Sequence, residues 1–384
     1  MTSNESNSAA ARNAQAEALV ASYERAGYAR ATPLLIQPAD PFLDLSGEDL
    51  RKQIYLTTDA AGEEMCLRPD LTIPVSRDYL ASPQAGAPAG FCYFGRVFRA
   101  VSAGPTEFMQ AGIESFGRTD TAQADAEMLA LALETAAHYG IAKPEIRMGD
   151  VGLYMALVAA LDLPPAWKRR LNKDFNRKTS LAHDLDQLAL RSAAAKREYQ
   201  GVLAAFAGTD PKAAHALVTD LLSIAGINAV GGRSVAEIAD RFLEQSALGA
   251  TNSALPEQSR AVIERFLAIR GTPQEALAAL RAMAGESGVA LDGAIALFEQ
   301  RMAALTARGI DLSRIEVSTD FGRGLDYYTG FVFEIHDAAA PEADPLVAGG
   351  RYDELLQRLG ADRPIPAVGF AAWIERLASL GSRA

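Results

Sequence analysis

Apolar residues recur every three to four positions over residues 10–28, with Ala16, Leu19, Val20 and Tyr23 on one stripe, which predicts an amphipathic helix packed on a core. Proline and aspartate punctuation interrupts residues 33–49. Residues 53–58 and 63–67 then read as two short strands of a hairpin turning around residues 59–62. A short helix is expected over 71–80, with Asp70 placed to cap it. Residues 91–100 and 107–116 read as an antiparallel strand pair whose turn holds Ser102, Gly104 and Pro105, and a long helix follows over 121–139. From about 151 to 308 the pattern is almost wholly helical and rich in Ala and Leu, with breaks at Pro164, Gly231, Gly232 and Pro256. Strand character returns over 314–318 and 327–335, and helices over 353–359 and 370–380 follow. Strands on both sides of a helical stretch predict one split α+β domain, 13–150 with 309–384, a helical insertion over 151–308 and a frayed tail over 1–12.

Composition narrows the function more than the fold. No apolar run reaches the ~20 residues of a spanning helix, and residues 1–12 carry no basic patch followed by an apolar stretch, so neither a membrane span nor a signal peptide is expected. Two cysteines, Cys66 and Cys92, cannot build a disulfide framework, and a reducing cytoplasm is the natural setting. His138, His183, His215 and His336 lack metal-ligand spacing, so no metal is expected. A net charge of −11 argues against a nucleic-acid partner, because phosphate backbones are bound chiefly by Lys and Arg. The basic run from Lys168 to Lys178 reads as a solvated helix face, and Gly231 with Gly232 as a turn.

The chemistry falls on the strands. On the strand over 107–116, Phe108, Gln110, Gly112, Glu114 and Phe116 share a face, so an amide and a carboxylate stand over a glycine that lets a ligand approach the backbone. Such a pocket suits a compact polar cation. On the preceding strand Arg99 shares a face with Val97 and Tyr93, where its guanidinium either takes an anion or bridges to Glu114. Arg323 stands between Gly322 and Gly324 with Tyr327 and Tyr328 behind it, which reads either as a device for neutralising a carboxylate or as a turn arginine in solvent.

At these residues a resemblance becomes specific. Residues 324–330, Gly-Leu-Asp-Tyr-Tyr-Thr-Gly, and residues 348–353, Ala-Gly-Gly-Arg-Tyr-Asp, resemble the two histidine-recognition motifs of histidyl-tRNA synthetases. Residues 67–72, Leu-Arg-Pro-Asp-Leu-Thr, are similar to that family's Leu-Arg-Pro-Glu-Gly-Thr segment. Phe98 and Arg99 with residues 107–117 look like class II motif 2, and residues 369–377 look like motif 3. The resemblance covers residues 16–150 and 312–380 and implies a class II aminoacyl-tRNA synthetase-like antiparallel sheet with flanking helices. It also implies a histidine pocket, in which Asp70, Thr72 and Gln110 hold the α-amino group. Glu114 and Tyr328 would hold the imidazole, Arg323 would face the carboxylate, and Tyr327 would line the site.

The departures from the synthetase pattern fall where ATP would bind. The family's Arg-x-Glu is Arg99-Ala100-Val101 here, which puts an apolar valine where an acidic residue meets the adenine. The following loop is short and lacks an arginine, and the motif 3 glycine is replaced by Trp373. Arg99 and Arg376 remain as a residual anion site. The chain ends eight residues after Arg376, where a synthetase would continue into an anticodon-binding domain. This combination resembles the regulatory subunits of ATP phosphoribosyltransferase, a non-catalytic branch of the same family. That resemblance implies no catalytic residue and no cofactor, a dimer, a short-form catalytic subunit as partner, and histidine as effector; a histidine-activating ligase is the alternative.

Overall fold

In the computed structural model, residues 3–102, 104–175 and 256–381 are described, with isolated positions between 177 and 224. They form two compact units, residues 1–157 with 265–384, and residues 158–264. The first unit holds twelve short strands: β1 (Ala29–Arg30), β2 (Ile36–Pro38), β3 (Tyr55–Thr58), β4 (Glu64–Leu67), β5 (Ala89–Phe98), β6 (Glu107–Phe116), β7 (Glu145–Asp150), β8 (Arg270–Gly271), β9 (Ile315–Ser318), β10 (Phe331–His336), β11 (Val347–Arg351) and β12 (Ala367–Trp373). Nine of them make one sheet in the order β1-β5-β6-β12-β11-β10-β7-β9-β8, and β2-β4-β3 make a second. Only the β1–β5 and β7–β9 pairs are parallel. The α+β class and the antiparallel character follow the sequence expectation.

Several elements differ from that expectation. The first helix starts at Ser3, inside the segment expected as a frayed tail. The expected helix over 370–380 is a strand, β12, as far as Trp373, and the helix Ile374–Gly381 starts only after it. Residues 367–373 are mostly small and carry no period-two alternation, but pairing with both β11 and β6 satisfies their backbone and overrides helix propensity. β11, absent from the sequence reading, is buried throughout and so also shows no alternation, whereas β7, absent from it too, alternates over Glu145, Ile146, Arg147 and Met148 but is only six residues long. Tyr327 and Tyr328 precede β10 instead of opening it.

The helices Pro273–Ser287 and Asp292–Ala307, expected in the insertion, belong to the sheet-bearing unit. Thr272 starts the first with a capping box: its hydroxyl accepts from Glu275 N, and Glu275 Oε2 accepts from Thr272 N at 2.8 Å. The second is bound to the sheet by a buried ion network. Arg301 Nε donates to Asp125 Oδ2 at 2.8 Å and Arg301 Nη1 to Asp150 Oδ2 at 2.6 Å, while Arg351 Nε donates to Asp125 Oδ1 at 2.8 Å. Arg351 Nη1 continues to Asp353 Oδ1 at 2.9 Å, which itself accepts from Ala367 N. All but Asp353 are under 7% exposed. Asp125 lies on the buried face of the helix Thr121–His138, so one carboxylate joins that helix to Asp292–Ala307 and to β11.

In the second unit the basic run begins on the helix Pro165–Asp174, where Arg170 Nε donates to Asp174 Oδ2 at 3.0 Å. Lys178, His183, His215, Gly231 and Gly232 lie outside the described residues.

Candidate functional site

Cross-strand register defines the floor of the site. Glu114 on β6 faces Gly369 on β12, which faces Gly350 on β11; one row along, Gly112 faces Ala371, which faces Ala348. Directly paired residues point to the same side of a sheet, so these five small residues form a backbone floor. A Cβ at Gly369 would collide with Glu114 Oε2 and Ile113 O, and one at Gly112 with Phe370 O and Tyr93 Oη. Glycine at 369 is therefore what lets Glu114 fold flat against the sheet, and glycine at 112 is what admits the Tyr93 hydroxyl beside it.

Glu114 is fully buried. Thr72 Oγ1 donates to its Oε1 at 2.7 Å and Tyr93 Oη donates to the same oxygen at 3.2 Å, while Tyr352 Oη donates to Oε2. Burial nevertheless dominates and pushes its carboxyl up to about 8, against the three hydroxyl donors. Asp70 is also buried, and burial raises it to about 6 against a hydrogen bond of 3.2 Å from Ile73 N. Its Oδ2 has no partner, nor does Gln110 Oε1, although Gln110 is 1% exposed. Unpaired buried polar atoms cost about 1–3 kcal/mol each. Two orphan acceptors on one wall are a site for a group that donates, such as an ammonium.

The opposite wall is aromatic and cationic. Tyr327 and Tyr328 are buried with ring centroids 4.8 Å apart, and Tyr352 meets Tyr327 edge-on at 5.7 Å. Arg323 is not in solvent: its Nη1 donates to Tyr328 Oη at 2.6 Å, and its Nε reaches Glu334 Oε1 at 3.4 Å. His336 Nε2 lies 3.1 Å from the other oxygen of Glu334. Against burial, His336 and Arg323 together hold Glu334 below the usual carboxylate range.

Arg99 does not bridge to Glu114. It lies just beyond the end of β5, donates from Nε to Pro69 O at 3.0 Å, and packs over Phe108. Burial, and after it the positive charges of Arg323 and Arg376, pull Arg99 down from the ordinary arginine range, against Asp70 and Tyr327. Arg376 is committed elsewhere: Nη1 donates to Pro345 O at 2.8 Å, Nη2 to Asp344 Oδ2 at 2.6 Å, and the guanidinium lies over the Trp373 ring. An anion here would meet Arg99 directly and Arg376 chiefly through its charge.

The structure thus gathers Asp70, Thr72, Gln110, Glu114, Tyr327, Tyr328 and Arg323 around one floor. Sequence reasoning missed Tyr93 and Tyr352 as the hydroxyls that hold Glu114, and Glu334 as the partner of Arg323. For Tyr93, its register opposite Gly112 was the available signal. No group of three or more metal-ligating side chains occurs among the described residues.

The histidyl-tRNA synthetase family profile matches residues 5–230 and 213–377. ATP phosphoribosyltransferase regulatory subunits of Brucella canis and Brucella ovis are each 41% identical over 352 residues, covering 90% of this chain and 91% of theirs. Among solved structures, an ATP phosphoribosyltransferase regulatory subunit/histidyl-tRNA synthetase from Bacillus halodurans aligns over 98% of this chain and 80% of its own, with a TM-score of 0.66 and 21% identity. A histidine–tRNA ligase subunit from Alicyclobacillus acidocaldarius aligns over 98% of this chain and 94% of its own, with a TM-score of 0.58 and 25% identity.

Proposed function

Because this chain belongs to the histidyl-tRNA synthetase-like family of ATP phosphoribosyltransferase regulatory subunits, we propose that it binds free histidine in the pocket over Gly112 and thereby controls a short-form catalytic subunit. In this reading the catalytic subunit carries out the condensation of ATP with phosphoribosyl pyrophosphate, this chain raises its rate, and histidine withdraws that activation. The observation that carries the reading is the pair of buried orphan acceptors, Asp70 Oδ2 and Gln110 Oε1, beside a buried Glu114. The ammonium of histidine would satisfy the orphans, the imidazole would reach Glu114 and Tyr328, and Tyr327 would line the ring. Arg323 with Arg99 supplies positive charge for the carboxylate, and a residual anion site remains around Arg99 with Arg376.

Inhibition requires that histidine bind the inactive state of the complex more tightly than the active one, since a ligand shifts an equilibrium only by its differential affinity. The test is an ATP phosphoribosyltransferase assay of the short catalytic subunit with and without this chain over a histidine titration. Activation that histidine abolishes is expected; a rate indifferent to both would end the proposal.

Self-association as a dimer belongs to the same proposal. On the small sheet Ile36 and Tyr55 both stand opposite Leu67 and so share its face, where they are 50 and 37% exposed. An apolar strand face of this kind is covered by association. The double change Ile36→Glu with Tyr55→Glu is expected to leave far-ultraviolet circular dichroism unchanged and to shift the chain to monomer in analytical ultracentrifugation; a mass unchanged from wild type would place the dimer contact elsewhere. No helix among the described residues is long and apolar enough to cross a membrane. A cytoplasmic setting and the absence of a nucleic-acid partner complete the proposal.

A further inference from the structure

Trp373 does more than occupy the space left by a glycine. It is the last residue of β12 and lies directly opposite Gln110, so both side chains stand on the floor side of the sheet. It is 7% exposed, and its Nε1–H has no acceptor. An indole N–H only donates, so an acceptor alone can satisfy it, whereas Gln110 Oε1 and Asp70 Oδ2, unpaired on the same wall, can be satisfied only by a donor. Side chains directly opposed across strands stand about 5 Å apart at Cβ. A ligand that meets both needs there carries a donor and an acceptor a few bonds apart, as the ammonium and carboxylate on the head of an α-amino acid zwitterion are.

Two further observations favour this assignment. Arg376 lies over the indole with its guanidinium carbon 5.0 Å from the ring centroid, and is itself anchored by Asp344 and Pro345 O, so the ring is braced in place. Arg323, the residue expected at the carboxylate, already spends hydrogen bonds on Tyr328 and Glu334. The geometry points to Trp373 as a ligand-contacting residue whose indole N–H binds the carboxylate of the amino acid held by Asp70 and Gln110. This rests on the pocket reading above and adds to it a contact that a glycine cannot make. The residue that blocks the nucleotide would at the same time replace it as the partner of the amino acid's anionic end.

The test uses the full chain and two probes: histidine, and histamine, which lacks the carboxylate. Trp373→Phe keeps a ring for Arg376 and removes only the donor. In isothermal titration the variant is expected to bind histidine about tenfold more weakly and histamine as the wild type does. Equal loss for both probes, or no loss for either, would overturn the assignment and leave Trp373 as a space-filling residue. A wild-type chain that binds neither probe would overturn the pocket reading itself, and this assignment with it. Should the variant fail to fold, the wild type gives an independent readout. The chain has two tryptophans, so the ¹⁵N indole resonance of Trp373 is assigned with Trp167→Phe. That resonance is expected to move downfield with histidine and not with histamine; a resonance indifferent to histidine refutes the contact.

Discussion

Replacing Asp125 with alanine is expected to lower the unfolding free energy by roughly 3–5 kcal/mol, the loss typical when one partner of a buried ion pair is removed and the other stays. The magnitude follows from how many charges depend on this one carboxylate. Asp125 is fully buried and accepts from both Arg301 and Arg351, which are 1% and 3% exposed. Alanine would leave Arg301 with Asp150 alone and Arg351 with Asp353 and the Thr121 carbonyl. Denaturant unfolding of variant and wild type side by side measures it. A difference under about 1 kcal/mol, the range of an exposed pair, would show that water reaches the guanidiniums and that the network is weaker than its burial implies. The contrast is the exposed pair Arg281–Glu299 on the helices Pro273–Ser287 and Asp292–Ala307, whose removal should cost no more than that.

Glu114→Gln is expected to act in opposite directions on binding and on stability. Histidine affinity above pH 8, where the Glu114 carboxyl is ionised, should fall about a hundredfold, because a charge-assisted hydrogen bond to the ligand becomes a neutral one in a dry site. Stability at pH 8 should rise. The sign follows from linkage: burial raises the Glu114 carboxyl to about 8 from an ordinary value of 4.5, so between these values the folded state holds more protons than the unfolded one. The contribution of Glu114 is therefore fully present below about 4.5 and is lost as pH rises toward 8. Asp70, raised to about 6 from 3.8, adds a loss of the same sign at lower pH. Unfolding of the ligand-free wild type at pH 5, 6.5 and 8 should thus show a downward slope on the order of a few kcal/mol, and Glu114→Gln should flatten its upper half. A variant as pH-dependent as wild type above pH 6.5 would mean that the three hydroxyls, not burial, set the charge of Glu114.

Much of this site was legible in the sequence because it lies on one strand of period two. Gln110, Gly112 and Glu114 face the same way whatever partners β6 has, and Asp70 and Thr72 stand at the start of a helix whose pattern was plain. The rest depends on register, which local pattern does not encode. β11 reads Val-Ala-Gly-Gly-Arg and β12 Ala-Val-Gly-Phe-Ala-Ala-Trp, segments with no alternation because both of their faces are buried. Without those strands Tyr352 could be placed in a motif but not on Glu114, and Trp373 could be seen as bulk but not as a buried donor opposite Gln110. The helix Asp292–Ala307 was assigned to the insertion for a related reason. Its Ala-rich pattern resembles what precedes it, and the long-range pairs of Arg301 with Asp125 and with Asp150 on β7, which tie it to the sheet-bearing unit, leave no local signal.

The small-residue floor also bears on how the protein comes to exist in the cell. Glu114 and Tyr352 are 238 residues apart in the chain, and Tyr93 and the Phe370 carbonyl it contacts are 277 apart. During synthesis β5 and β6 therefore emerge with their pocket face bare and wait for β11 and β12 to be translated. Pairing over such separations is slow, and the exposed strand edge is the part of a nascent chain most open to wrong partners. The pocket cannot exist as a partial object, so any effector bound there reports on a chain whose early and late strands have already found each other.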